Sequence, residues 1–183
     1  MKFAVITNDL QFAAANKNAR RKKVVDIFLP KQISFLKSMR LIGIPIIHLQ
    51  LVVPDDDARS QGRPDDKVFL RGSKGSQILK EVYEPTDYII EKPKDSGFFE
   101  TKLNDTLNKI GINTLIITGM QTQICVQTTA ADAYFRGYKV YIPSDMVVST
   151  KIGDTKRSLK WMADYCASVL VSKDIVKLVK NNN

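Results

Sequence analysis

Short apolar runs separated by polar turns recur along the chain, at Phe3–Thr7, Ile44–Leu49, Tyr88–Glu91, Thr114–Thr118, Lys139–Ile142 and Ala167–Val171. Most are continuous rather than alternating, the pattern of strands buried on both faces. Stretches with helical spacing lie between them. Lys31–Ile42 carries Ile33, Leu36 and Met39, and Pro30 reads as the start of that helix, where a missing N–H costs nothing. Leu103, Leu107 and Ile110 recur at i, i+4 and i+7, and Val126, Thr129, Ala130, Ala133 and Tyr134 continue the same rule further on. Gly137 stands where that last helix should stop. Strand–helix alternation of this kind predicts an α/β fold, a parallel sheet with helices on both faces.

Composition narrows the class. With 183 residues the chain is expected to be one domain, spanning 1–183. A chain this long buries roughly 70% of its unfolded surface, so neither disulfides nor metals are needed to complete a core. Two cysteines, Cys125 and Cys166, can pair only once, and a reduced compartment is the simpler reading. No stretch approaches a membrane span or a signal-peptide core, so the expectation is a cytoplasmic protein with no membrane partner. The formal charge is +9, but the basic residues are scattered apart from Arg20–Lys23 and carry no interleaved aromatics. A solvated lysine-rich surface explains that excess without a nucleic-acid partner.

In parallel sheets, ligands bind at the C-terminal ends of strands. Three reactive residues follow strand ends: Asp9 in "ITNDLQ", Lys92 in "IIEKPK" and Cys125 in "TGMQTQICVQ". A cysteine at the start of a helix faces unpaired N–H groups and the positive end of the helix dipole, which lower its pKa. It can equally be a small buried hydrophobe. Asp9 alone reads as a turn residue, and Lys92 alone as a surface lysine. On one sheet edge, the acid, the cation and the thiol make a nucleophilic constellation. The single histidine, His48, sits in the apolar run "IPIIHLQL" and reads as a core or rim residue. The irregular segment 52–75 is either a functional lid or interface arm, or a mobile surface excursion.

The sequence resembles the isochorismatase-like cysteine hydrolases, which include nicotinamidases and N-carbamoylsarcosine amidase. Three blocks carry the resemblance in order: "ITNDLQ", then "IIEKPKDSGFFETKL", then "LIITGMQTQICVQTTAADAYFRGYKVYIPSD". It implies a three-layer αβα fold with a six-stranded parallel sheet in the order 3-2-1-4-5-6. It also implies a catalytic Asp9, a Lys92 six positions before the motif phenylalanine Phe98, and a nucleophilic Cys125. The family's cis peptide falls on Met120–Gln121, with the Gln121 and Cys125 amides as the oxyanion hole. Gln11, Phe12, Phe98 and Thr122 are the positions expected to line the substrate pocket. The implied activity is cofactor-free hydrolysis of a C–N bond in a small carboxamide, ureido or N-carbamoyl compound through a thioester, by a homodimer or homotetramer.

The departures from the family pattern bear on substrate. Many nicotinamidases hold a metal with one Asp and two His; one histidine cannot supply that set, so no metal is expected. Many members place a phenylalanine five residues after the catalytic Asp, where this chain has Ala14. Members acting on isochorismate itself lack the cysteine. Two rival readings stay open: a nicotinamidase with a degenerate metal site, and a catalytically silent binding protein of the same fold.

Overall fold

The computed structural model describes residues 1–182. The element order is β1 (Phe3–Asn8), α1 (Phe12–Ala15), α2 (Ala19–Leu41), β2 (Ile46–Leu51), β3 (Tyr88–Lys92), α3 (Leu103–Lys109), β4 (Thr114–Met120), α4 (Gln127–Phe135), β5 (Lys139–Pro143), β6 (Val147–Val148), α5 (Ile152–Tyr165), β7 (Ser168–Leu170) and α6 (Ser172–Lys180). All strand pairs are parallel, in the order β3-β2-β1-β4-β5-β7. This is the expected order, with β7 in the sixth place. The sheet has seven strands rather than six, because β6 adds Val147 and Val148 beside Gly119 and Met120 at the end of β4. Two residues carry no periodicity that a sequence reading could detect.

β1 shows why the layers form. Its alternate side chains enter different cores: Phe3 and Val5 pack with α2 and α6 residues such as Phe28, Met39 and Ile175. Ala4 and Ile6 pack with Leu103, Ala130 and Met162 from α3, α4 and α5. A strand buried on both faces needs apolar residues at every position, as its continuous run provides.

The first long helix begins well before the expected Lys31. It starts at Ala19, capped by the Asn18 side chain, which accepts from the Arg21 N–H at 2.9 Å. Arg21, Val25, Phe28, Gln32, Phe35, Leu36 and Met39 form one buried face through the whole helix. Pro30 therefore lies inside it. Pro30 is exposed, as is Asp26 four residues earlier, so the hydrogen bond that proline removes is missing on the water-facing side. Tertiary packing of the continuous face overrides the local signal.

Candidate active site

β1, β3 and β4 run parallel, so their C-terminal ends share one edge of the sheet. Asp9 follows β1 directly and adopts φ 51°, a left-handed conformation uncommon outside glycine but tolerated by Asp. Its N–H donates to Leu49 O at 3.1 Å, and its carbonyl accepts from Gln11 N at 2.7 Å. Lys92 is the last residue of β3. After β4, the Met120–Gln121 bond is cis, and a wide π turn over Thr122–Val126 presents Cys125 ahead of α4. Gly119 lets β1 and β4 close up at this point. A Cβ there would lie 2.3 Å from Asn8 O, and its φ of 104° suits glycine alone.

The three side chains meet below the surface. Lys92 is 0% exposed, and Asp9 and Cys125 are each 5% exposed. Lys92 Nζ lies 3.0 Å from Asp9 Oδ1, although its directed hydrogen bond goes to Oδ2 at 3.3 Å. Oδ1 thus has charge contact but no donor aimed at it. Nζ also donates to the carbonyls of Lys94 at 3.0 Å and Asp95 at 3.2 Å, which uses the three donors of an ammonium. Cys125 Sγ lies 3.6 Å from Asp95 Oδ1 and interacts with Asp9 as well.

Burial raises the Asp9 carboxyl above its usual range, outweighing the attraction of Lys92. For Lys92 burial works against the charge, but Asp9 and Cys125 outweigh it and hold the ammonium more firmly. Burial also pushes the Cys125 thiol well up, and the Asp9 charge adds to that effect against the pull of Lys92. This corrects the expectation of a lowered thiol pKa at a helix start. Loss of water and the carboxylates of Asp9 and Asp95 raise it against the pull of Lys92. The raised thiol holds its proton more firmly, and Asp9 Oδ1 beside it is an open acceptor.

Asp9 and Cys125 line a cavity of about 640 Å³, within the range of small-molecule sites. Its other walls come from Ala13, Ala14 and Arg21 near α1 and α2, from Met120, Gln121 and Ile124, and from Val53, Arg59, Arg63, Lys67 and Phe69. The last group belongs to the irregular segment 52–75. That segment is a cavity wall and not a detached excursion.

An isochorismatase domain model matches residues 3–174. The chain belongs to the isochorismatase family. It is 36% identical over 97 residues to YaaI, an isochorismatase family protein of Bacillus subtilis (strain 168), a match covering 53% of this chain and 54% of that one. It is 35% identical over 81 residues to Nicotinamidase 3 of Arabidopsis thaliana, covering 43% and 41% respectively. The chain spans about half the length of the curated relatives it matches. The crystal structure of N-carbamoylsarcosine amidase from Thermoplasma acidophilum superposes with a TM-score of 0.79 at 26% identity, covering 94% of this chain and 97% of that one. The family is one of hydrolases and includes amidases and nicotinamidases.

Within this family frame, the four positions expected to line the pocket lie elsewhere. Gln11 is spent on structure: its Nε2 donates to Leu51 O and Ser76 O at 2.9 and 2.7 Å, and its Oε1 accepts from Leu51 N at 2.8 Å. Phe12 faces a separate cleft, under Lys74 Nζ at 4.6 Å. Phe98 packs against Tyr138 in the α3–α4–α5 core. Thr122 is fully buried, with its hydroxyl 3.4 Å from that of Thr155. Ala14, where many members have phenylalanine, does line the cavity. Sequence reasoning missed Asp95, although the quoted block contains it, and missed the cations Arg21, Arg59, Arg63 and Lys67.

His48 is fully committed inside the sheet. Its Nδ1 pairs with the Thr7 hydroxyl at 2.7 Å and its Nε2 with Asp87 at 3.1 Å, and it does not line the cavity. Among the described residues no group of three His, Cys, Asp or Glu is placed to hold a metal ion. The donor set around this cavity does not fit the one-Asp, two-His site of the metal-holding nicotinamidases. No helix among the described residues is long and apolar enough to cross a membrane.

Proposed function

We propose that this protein is a cysteine-dependent amidohydrolase that cleaves the C–N bond of a small carboxamide, ureido or N-carbamoyl compound. The observation that carries the reading is the convergence of Asp9, Lys92 and Cys125, each 5% exposed or less, with Asp9 and Cys125 lining one cavity and Lys92 behind Asp9. Buried ionisable groups with shifted pKa values and a specific charge partner in a cleft are candidates for a functional site.

The chemistry follows from the geometry. Asp9 takes the Sγ proton as the sulfur attacks the carbonyl carbon, and the carbonyl π electrons move to oxygen. The Gln121 and Cys125 amides are the donors for that oxyanion. The neighbouring Ile124 and Val126 amides are already used, both donating to Gln121 O, at 3.1 and 3.2 Å. As the oxyanion collapses, the C–N bond breaks and protonated Asp9 returns its proton to the leaving nitrogen. Water then loses a proton to Asp9 and attacks the thioester. The C–S bond breaks and the sulfur regains the proton. Lys92 stays charged throughout and balances whichever of Asp9 and Cys125 carries the negative charge.

On this reading the enzyme works in the cytoplasm as a homodimer or homotetramer, needs no cofactor, and takes a small molecule as its only partner. Ammonia release measured over a panel of small amides and ureas tests the activity. Turnover that depends on Cys125 supports it. A panel with no turnover by the folded protein favours the silent binding-protein reading.

A further inference from the structure

Arg21 differs from the other buried charges of this protein. It is only 8% exposed, yet it makes no ion pair with any described residue. Its partners are neutral: Nη1 donates to Ala14 O at 3.1 Å and Nε to the Thr150 hydroxyl. Its Nη2 has no hydrogen-bond partner among the described residues, and Arg21 lines the cavity that holds Cys125. A buried guanidinium without a counter-ion is costly, and burial alone pushes its pKa down.

A second unmatched donor lies beside it. The Gln121 side chain lines the same cavity, and its Oε1 accepts from Thr150 N at 3.2 Å. Its Nε2 is buried without an acceptor. Thr150 therefore holds both Arg21 and Gln121, through its hydroxyl and its amide.

The charges of the whole wall point the same way. Asp9 is matched by Lys92, and Arg59 by Asp57. Lys67 has Asp66 at 3.8 Å, so what remains on the wall is Asp95 against Lys17, Arg21 and Arg63. Such a cavity draws anions in and repels cations.

We propose that Arg21 is the receptor for a carboxylate on the substrate, so that the enzyme takes amides of small acids, such as N-carbamoyl or ureido acids, in preference to neutral carboxamides. The inference rests on the amidase reading and narrows it. A planar fork of donors suits a carboxylate, and holding that end fixes where the reacting amide lies relative to Cys125.

N-carbamoylglycine and isobutylurea make a matched pair, differing in a carboxylate against an isopropyl group of similar size. Binding to Cys125→Ala protein is measured by calorimetry, and turnover of both compounds by ammonia release. The acid should bind at least about 10-fold more tightly than the urea. Arg21→Gln should lower kcat/KM for the acid about 10- to 100-fold, mainly through KM, and leave the urea unchanged. Arg21→Lys should recover part of the loss, and it serves where Arg21→Gln does not fold. Equal binding of the pair, or an equal loss on both in the Arg21 variants, overturns the proposal. If neither compound nor any other amide releases ammonia while the acid still binds through Arg21, the amidase reading fails and the carboxylate site stands.

Discussion

Two buried carboxylates sit at opposite edges of the sheet, Asp9 just past the end of β1 and Asp87 just ahead of β3, and each faces a cation. Their surroundings differ in the donors they offer and in how strongly burial acts. Asp87 collects four donors: Arg40 Nε at 3.0 Å, Arg40 Nη2 at 2.5 Å, the Glu84 amide at 2.8 Å and His48 Nε2 at 3.1 Å. Burial alone would raise its pKa, but these bonds outweigh burial and hold the carboxyl well below the usual range. For Asp9 burial outweighs Lys92, its one directed donor, and the contact with the Cys125 thiol, and its pKa goes up. The saturated carboxylate is fixed as an anion and locks α2 to the approach of β3. The under-satisfied one opens on a cavity and can accept a proton. Both carboxylates face a cation; the balance between burial and the number of donors is what sends their pKa values in opposite directions.

The largest expected effect is at the sulfur. Cys125→Ala should lower turnover by about four to six orders of magnitude with the fold intact, as loss of a nucleophile does elsewhere. Next, Asp9→Asn should cost about 10²- to 10⁴-fold in kcat, and the loss should not add to that of Cys125→Ala. The acid limb of the wild-type kcat/KM profile should lie above the ordinary aspartate value of about 3.9, because the proposed mechanism needs Asp9 ionised to take the proton. A profile flat through that region would assign the base elsewhere.

Asp87→Asn sharpens the contrast from the structural side. It should lower stability by about 3 kcal/mol in denaturant titrations and leave kcat of the folded enzyme unchanged. The pH dependences of the two carboxyls are opposite. Asp87, depressed in the fold, contributes fully above its unfolded value near about 3.9, and that contribution drains away as pH falls towards its folded value. Asp9, raised in the fold, favours folding below that value and loses the contribution as pH rises through its folded value. Acid unfolding should therefore be less steep in Asp87→Asn than in the wild type.

The smallest effects belong to groups outside both clusters. Cys166 is buried in the α3–α4–α5 core and lines no part of the cavity, so Cys166→Ala should cost about 1 kcal/mol of stability and leave turnover nearly intact. Dialysis against a chelator should leave turnover unchanged. Loss restored by zinc, iron or manganese would return a metal to the mechanism.

The parts of this molecule legible in its sequence are those written in contiguous residues. Strands buried on both faces announce themselves as apolar runs, and strand position together with the family motifs singles out Asp9, Lys92 and Cys125 at the ends of β1, β3 and β4. The N-terminal half of α2 was hidden because Pro30 is a strong local signal, while the buried stripe from Arg21 to Met39 becomes evident only against the sheet. The cavity wall was illegible for a related reason. Arg21 comes from a helix, Arg63 and Lys67 from an irregular segment some forty residues on, and Gln121 from a turn beyond β4. Nothing in local spacing shows that they converge. The direction of the Cys125 shift also escaped, since a helix start is visible in sequence, whereas the depth of burial and the approach of Asp95 are not.

The most direct test of the account is to quench the enzyme in acid during turnover of an accepted amide and weigh the intact protein. The account predicts an added acyl or carbamoyl mass that maps to the peptide containing Cys125 and vanishes in Cys125→Ala. Steady turnover by an enzyme whose adduct maps to another residue, or that survives in Cys125→Ala, would contradict it.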